Sequence, residues 1–216
     1  MQEQILVTGM IIKTVPIGEF DRRVVILTKE RGKITAFVKG ARRPNSRFVA
    51  STNLFCFGQF KMYEGKTAYN LMDTDISNYF EELRDDFESA YYGMYLLEIA
   101  DYYTRENNDE REMLKLVYQS LKALASKKLD NRLVRYVFEL KSTMVNGEFP
   151  GLNPDKTYDE STKYAVYYIQ ESSIERLYTF KVTESVLKEL GEFAGWICKR
   201  CMDYSFKSLP VLSSII

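Results

Sequence analysis

The first 80 residues alternate between apolar and polar positions in short segments that end at glycine, proline or charged turns. Such alternation, enriched in β-branched and aromatic residues, predicts β-strands. The segments with this pattern are residues 5–14, 22–28, 33–38, 54–63 and 68–76. No long helical pattern separates them, whereas parallel strands need crossovers of about a dozen residues or more. The pattern predicts an OB-fold, a five-stranded Greek-key β-barrel, although other small five-stranded barrels fit almost as well.

Three local features refine this picture. Gly58 interrupts the fourth segment as a bulge or a tight bend would. Residues 40–47 are basic and contain Gly, Pro, Asn and Ser, which predicts a loop. Residues 64–67 read Glu-Gly-Lys-Thr, like the end of a phosphate-binding loop, but Phe60 stands where that loop needs a glycine. Because this tetrapeptide joins two predicted strands, we interpret it as a hairpin turn.

The apolar spacing changes to three and four residues after about residue 84, which predicts helices. The predicted helices are residues 85–105, 109–125, 131–145 and 183–202. Residues 153–161 are polar and predict a loop, and the aromatic, β-branched residues 163–170 predict one more strand. An apolar tail, 210–216, is expected to pack onto the helices.

The predicted fold class is therefore α+β with two domains. Residues 1–80 form the OB-fold barrel and residues 81–216 form a helical bundle. The second domain contains a small irregular and β insertion at residues 153–180.

Composition narrows the classes of function. With 45% hydrophobic and 28% charged residues, the chain has the composition of a globular protein. No segment resembles a signal peptide or approaches the roughly 18 apolar residues of a membrane span, so we expect a cytoplasmic protein. Histidine is absent, which removes the commonest general base and the commonest transition-metal ligand. We find no nucleophile with a partnered base, and we predict neither an enzyme nor a cofactor.

The candidate metal and redox sites are weak. Cys198 and Cys201 form one Cys-x2-Cys pair, which supplies two of the four ligands of a structural zinc. They lie near the end of a predicted helix, not at the helix start that stabilises a thiolate. Asp73 and Asp75 share one face of a predicted strand and are expected to face solvent. With Cys56 the cysteines make an odd number, and we expect free thiols.

Charge is distributed unevenly along the chain. The net charge is zero, yet residues 1–66 contain 12 basic and 5 acidic residues, and the other 150 residues contain 18 basic and 25 acidic. A charge run is often only a solvated face, but this asymmetry is typical of one module that faces a polyanion. Arginine suits bidentate contact with phosphate. The residues that we predict to contact DNA phosphates are Arg22, Lys33, Lys39, Arg42, Arg43 and Arg47, with Lys13 and Arg23 as weaker candidates.

Aromatic residues are interleaved with these cations, and some could stack on bases. They are Phe37, Phe48, Phe55, Phe57, Phe60, Tyr63 and Tyr69. We expect most of them to fill the barrel core.

Short motifs in a fixed order resemble the bacterial RecO family of recombination-repair proteins. The first are Gly-Glu-Phe-Asp-Arg at 18–22, Leu-Thr-Lys-Glu-Arg-Gly-Lys at 27–33, Gly-Ala-Arg-Arg-Pro at 40–44 and Tyr-Glu-Gly at 63–65. Tyr-Leu-Leu-Glu at 95–98, residues 147–152 and Phe-Lys-Ser-Leu at 206–209 follow in the family's order. Each motif is short, and the resemblance lies in the ordered set.

The resemblance implies a non-enzymatic role in DNA repair and homologous recombination. RecO proteins bind single- and double-stranded DNA, anneal complementary strands and, with RecR, promote the loading of RecA onto DNA covered by single-strand-binding protein. The implied partners are DNA, RecR, the C-terminal tail of single-strand-binding protein and, indirectly, RecA, in the cytoplasm at the nucleoid and without a membrane. The aromatic residues of 91–103 could line a groove for that tail or could equally form bundle core.

One departure from the family concerns zinc. Many relatives have two Cys-x2-Cys pairs that bind zinc, the first after a Gly-x-x-Pro segment, which is 147–150 here. Asp155 and Tyr158 stand where the first pair would fall, and residues 172–178 supply no second pair. We expect no metal, with the insertion at 153–180 in place of the zinc module.

The competing class of function is an adaptor that binds only protein through its basic face.

Overall fold

Five strands close into a barrel in the N-terminal part of the chain. The computed structural model describes residues 3–215, with the backbone alone for Ser213 and Ile215. The strands are β1 (Gln4–Ile17), β2 (Asp21–Thr28), β3 (Gly32–Val38), β4 (Phe57–Glu64) and β5 (Tyr69–Asn78). Their order around the barrel is β1-β2-β3-β5-β4, and only the β3–β5 pair is parallel. The prediction of an OB-fold is confirmed.

The barrel interior follows from the alternation of side chains along each strand. Val24 and Ile26 of β2 and Ile34 and Ala36 of β3 are fully or almost fully buried and point to the same interior. The pairing of β4 with β5 shifts register next to Gly58, as the interruption of the apolar pattern predicted. A short helix, α1 (Phe48–Ser51), follows the basic loop.

The remaining elements are helical. They are α2 (Glu81–Arg84), α3 (Phe87–Tyr103), α4 (Arg111–Ser126), α5 (Asn131–Val145), α6 (Glu160–Glu171), a 3-10 turn (Ile174–Arg176), α7 (Glu184–Cys201) and α8 (Ser208–Ile215). The predicted helices correspond to α3, α4, α5 and α7. Side chains of Asp130 and Thr183 accept backbone N–H bonds at the first turns of α5 and α7, which fixes where these helices begin.

Contacts divide the chain into two compact units. One contains the barrel through Glu81 together with Tyr103–Leu114, and the other contains Glu82–Tyr102 and Lys115–Ile216. The predicted domain limit at residue 80 stays a prediction.

The predicted strand at 163–170 is wrong, because these residues lie in α6. The buried residues of α6 are Thr162, Ala165, Val166 and Ile169, which follow a helical period, while Tyr164 and Tyr167 are exposed. The Asp159 side chain accepts the Ser161 N–H at 2.8 Å and begins the helix. The insertion is therefore helical, not β.

Residues 210–215 of the apolar tail lie in α8, whose Leu212 is fully buried, and Ile216 lies outside the described residues. The first turn of α8 is held by Glu98 of α3, whose carboxylate accepts the backbone N–H groups of Lys207 and Ser208 at 2.8 and 3.0 Å. Burial alone would raise the pKa of Glu98, but these bonds and that of the Ser208 hydroxyl lower it. The motifs at 95–98 and 206–209 thus meet in one helix cap.

Candidate nucleic-acid interface

Six of the eight predicted DNA-binding residues lie at one end of the barrel, which we call the basic end. They are Arg22, Arg23, Lys39, Arg42, Arg43 and Arg47. Pairing of β2 with β3 sets Arg22 opposite Val38 and Arg23 opposite Phe37, so the first residues of β2 lie beside the end of β3. The loop with the other four cations starts at that end of β3.

The basic loop is fastened to the turn between β1 and β2. The Arg42 backbone N–H donates to the Phe20 carbonyl at 2.8 Å, and the Gly40 N–H donates to the Asp21 carboxylate at 2.7 Å. The Arg42 guanidinium also donates to the Gly18 carbonyl at 3.2 Å. The motifs at 18–22 and 40–44 therefore form one structural unit that presents Arg42 and Arg43 to solvent.

Arg22 connects β2 to α1 and to the residues after α1 through side-chain hydrogen bonds. Its Nη1 donates to the Val49 carbonyl at 3.2 Å, the Thr52 hydroxyl at 2.8 Å and the Asn53 amide oxygen at 2.9 Å. Partial burial, followed by the nearby charge of Arg42, lowers the pKa of Arg22. Because the Arg22 guanidinium donates to α1 and to the residues after α1, we interpret Arg22 as a residue that stabilises their position against the barrel.

The Arg47 side chain also contacts other residues of the barrel. Its guanidinium donates to the Met72 carbonyl, lies 3.2 Å from the Asp73 carboxylate and sits 4.9 Å from the centroid of the Phe48 ring. Both charged side chains of this pair are more than half exposed, so the ion pair is weak. Asp73 and Asp75 of β5 are exposed, as predicted, and give this side of the barrel negative charge.

The other two candidates lie farther along the outer face of β1, β2 and β3. Pairing sets Lys13 opposite Val25 and Lys33 opposite Leu27, while Arg23 is opposite Phe37. Lys33 is six residues before Lys39, which is about 20 Å along an extended strand. The structure thus does not bring Lys33 to the basic end, and Lys13 lies between the two ends.

Two exposed aromatic rings accompany the cations. Phe20 at the β1–β2 turn is 38% exposed, and Phe37 on the outer face of β3 is 37% exposed. The Arg43 guanidinium carbon lies 5.3 Å from the Phe20 ring centroid, a cation–π distance. Of the seven aromatic residues expected mostly in the core, Phe55, Phe60 and Tyr69 are buried, Phe48, Phe57 and Tyr63 are partly buried, and Phe37 is exposed. Sequence reasoning missed Phe20, although its place between Gly18 and Arg22 marks an exposed turn.

The opposite end of the barrel, which we call the covered end, contains the motif at 27–33. The Thr28 hydroxyl donates to the Gly32 carbonyl at 2.8 Å and accepts the Arg31 N–H at 3.0 Å. The Lys33 N–H donates to the Arg105 carbonyl, and the Asn107 N–H to the Arg31 carbonyl. Residues 105–107 therefore pair with this turn, and the motif has a structural role.

The residues in place of the family's zinc module do not fit a metal. Tyr158 is buried, with its ring centroid 5.5 Å from that of Phe193, and Asp155 is exposed. Burial raises the pKa of the Cys198 and Cys201 thiols, which disfavours thiolate ligands. Within residues 3–215, no group of three Cys, Asp or Glu side chains could hold a metal ion.

Two of the five tyrosines proposed to line a partner groove are core, and the other three are partly buried. Tyr92 and Tyr95 of α3 are fully buried, and the Tyr95 hydroxyl donates to the buried Glu139 carboxylate at 2.7 Å. Tyr95 still borders a cavity of about 570 Å³, together with Cys198, Met202 and Phe206.

None of the helices in the described part of the chain has the length and apolar character needed to span a membrane.

Comparison with known proteins gives a consistent result. The family model "Recombination protein O N terminal" matches residues 1–80, and "Recombination protein O C terminal" matches residues 84–156. The chain is 28% identical to the DNA repair protein RecO of Acetivibrio thermocellus, with 96% of each chain covered. It is 26% identical to that of Clostridium novyi, over 95% of this chain and 92% of the relative.

Proposed function

Because the chain belongs to the RecO family of DNA repair and recombination proteins, we propose that its barrel binds DNA through the phosphate backbone at the basic end. The observation that carries this proposal is the group of four exposed cations, Arg23, Lys39, Arg42 and Arg43, at the basic end of the barrel. Arginine and lysine at this density neutralise phosphates and release counterions, and they favour no base sequence.

The structure supports different roles for the eight predicted residues. Arg42 and Arg43 are exposed on a fastened loop, where Arg42 makes one bond to the Gly18 carbonyl and Arg43 lies against the Phe20 ring, so we assign them the main phosphate contacts. Arg22 and Arg47 organise the basic end through the barrel contacts described above. Lys13 and Lys33 would extend the contact along the outer face, away from the acidic side of β5.

The experiment is a salt series of DNA affinity, measured by fluorescence anisotropy with a labelled single strand and with a duplex. Each phosphate contact contributes about 0.7 to 0.9 to the slope of the logarithm of affinity against the logarithm of salt concentration. We expect the double variant Arg42→Ala, Arg43→Ala to lower this slope by about 1.4 to 1.8.

The matched control is Lys188→Ala, Arg200→Ala, two exposed cations on α7 with the same change in charge. This control should leave the slope unchanged. An unchanged slope in the Arg42, Arg43 variant would contradict the assignment. No affinity for either DNA at low salt would favour the adaptor that binds only protein.

We further propose that the protein acts without catalysis, in the cytoplasm at the nucleoid. It would anneal complementary strands and, with RecR, promote RecA loading on strands covered by single-strand-binding protein. Screening two strands on one cationic surface while their bases stay free to pair supports annealing. Strand annealing followed by fluorescence quenching, with and without RecR, tests this part.

For the tail of single-strand-binding protein, the cavity beside Tyr95 and Phe206 is the candidate site. Apolar and aromatic side chains make up most of its lining, together with the charged residues Lys199 and Asp203 and the polar Ser205. Titration with a tail peptide should saturate and should weaken in the Lys199→Ala variant. A linear, unsaturated response would exclude this cavity.

A further inference from the structure

The basic end has an aromatic component that phosphate binding does not use. Among the described residues of the barrel, Phe20 and Phe37 are the aromatic side chains that are exposed. Single apolar side chains on a surface are common and need no explanation. These two, however, lie among the cations proposed to bind DNA, since Phe37 pairs with Arg23 and Phe20 lies against Arg43.

Phe20 is held in place by its own backbone. Its carbonyl accepts the Arg42 N–H at 2.8 Å, and the next residue, Asp21, accepts the Gly40 N–H at 2.7 Å. The ring therefore projects from a turn that is fixed at two points. Because the backbone of this turn is already ordered, it loses little conformational freedom when a flat partner stacks on the ring, which favours binding.

The position of Phe37 is fixed by the sheet. It pairs with Arg23 of β2 on one side and with Asn70 of β5 on the other. Phe20 directly precedes β2, and Phe37 pairs with Arg23, the third residue of β2, so both phenylalanines belong to the same end of the barrel. Cations lie next to both rings, in the arrangement used by proteins that track a single strand with stacked bases.

We propose that Phe20 and Phe37 are base-stacking positions that make the basic end prefer single-stranded DNA over duplex; this inference rests on the proposed function. Bases in a duplex are stacked on each other and hide their faces. Bases in a single strand expose a face that an aromatic ring can cover. Phosphate contacts serve both forms of DNA, whereas the two rings serve only the single strand.

The test compares an oligo-dT strand with a blunt duplex of equal length, by fluorescence anisotropy at one salt concentration. Phe20→Ala and Phe37→Ala should each weaken binding of oligo-dT by about tenfold to a hundredfold. Each should leave duplex affinity within about twofold, because no duplex base reaches these rings. The matched control is Leu6→Ala, which removes a 58% exposed apolar side chain from β1 outside the basic end.

A second readout separates stacking from a structural role. The chain has one tryptophan, so Phe20→Trp adds a second whose signal is obtained by subtracting the parent protein. Oligo-dT should quench this added fluorescence, duplex should not, and Phe20→Trp should keep the affinity for the single strand.

The outcomes distinguish the two proposals. If the parent protein binds both forms of DNA and the alanine variants weaken them equally, or weaken neither, the stacking inference is wrong while DNA binding stands. If the parent protein binds neither form at low salt, the proposed function fails and the inference fails with it.

Discussion

Both ends of the barrel contain motifs that resemble the RecO family, but the two ends are packed differently. At the basic end, the turn at Gly18 and the loop that starts at Gly40 are fastened to each other and leave cations and a phenylalanine ring exposed. At the covered end, the turn at Gly32 is paired with residues 105–107 of the same chain. A motif that resembles the family therefore does not by itself indicate a DNA contact. Whether its side chains are exposed or packed against other residues determines its role.

Gly32→Ala should give the largest effect, at the covered end. Gly32 has φ of +63°, and an added Cβ would lie 2.3 Å from the Arg105 carbonyl oxygen. Left-handed strain and the clash with backbone together should lower the free energy of unfolding by about 3 kcal/mol or more. Urea denaturation followed by circular dichroism measures this loss. A loss below that of Gly18→Ala would show that the covered end is not tightly packed.

Arg22→Ala should destabilise the protein by about 2 kcal/mol, because charge-assisted hydrogen bonds to α1 and the residues after it are lost. Amide hydrogen exchange at residues 48–53 should become faster. The salt slope of DNA affinity should change less than in the Arg42, Arg43 variant. A normal stability with a reduced slope would instead make Arg22 a phosphate ligand.

Gly18→Ala should cost about 1 kcal/mol, from left-handed backbone strain alone. Gly18 has φ of +53°, but nothing lies within 4 Å of an added Cβ. The difference between Gly32→Ala and Gly18→Ala therefore measures how much closer the packing is at the covered end. Equal losses in urea denaturation would remove that difference.

The smallest effect separates the two lysines of β3 and its following loop. Lys39→Ala, at the basic end, should lower the salt slope by about 0.7 to 0.9, the value of one phosphate contact. Lys33→Ala, near the covered end, should lower it less. The reverse order, in anisotropy titrations on the same oligonucleotide, would move the DNA site toward the covered end.

Most of the fold could be predicted from local pattern. The alternation in β1 to β5 and the caps of α5 and α7 are encoded by neighbouring residues, and these elements match the structure within a few residues. The strand predicted at 163–170 was wrong because tyrosine, valine and isoleucine favour strands. The burial of Ala165, Val166 and Ile169 instead follows a helical period. The helix α8 was missed as a helix because Pro210 lies in it, although proline is tolerated in a first turn.

The candidate site could be predicted only as a charge pattern. The excess of cations in residues 1–66 indicated a polyanion partner. The contacts that distinguish these cations from one another involve residues distant in sequence. Arg22 donates a hydrogen bond to Thr52, and Arg47 forms an ion pair with Asp73. Lys33 and Lys39 look alike in the sequence, and only the direction of β3 assigns them to different ends of the barrel.

The pairing of residues 105–107 with the β2–β3 turn also covers part of a strand edge. β5 pairs with β3 only at Ala36 and Phe37, so the first half of β3 would present unpaired N–H and C=O groups without the Arg105 carbonyl on Lys33. Uncovered strand edges recruit strands from other molecules and start aggregation. By occupying that edge with its own chain, the protein keeps its barrel from becoming a template for self-association.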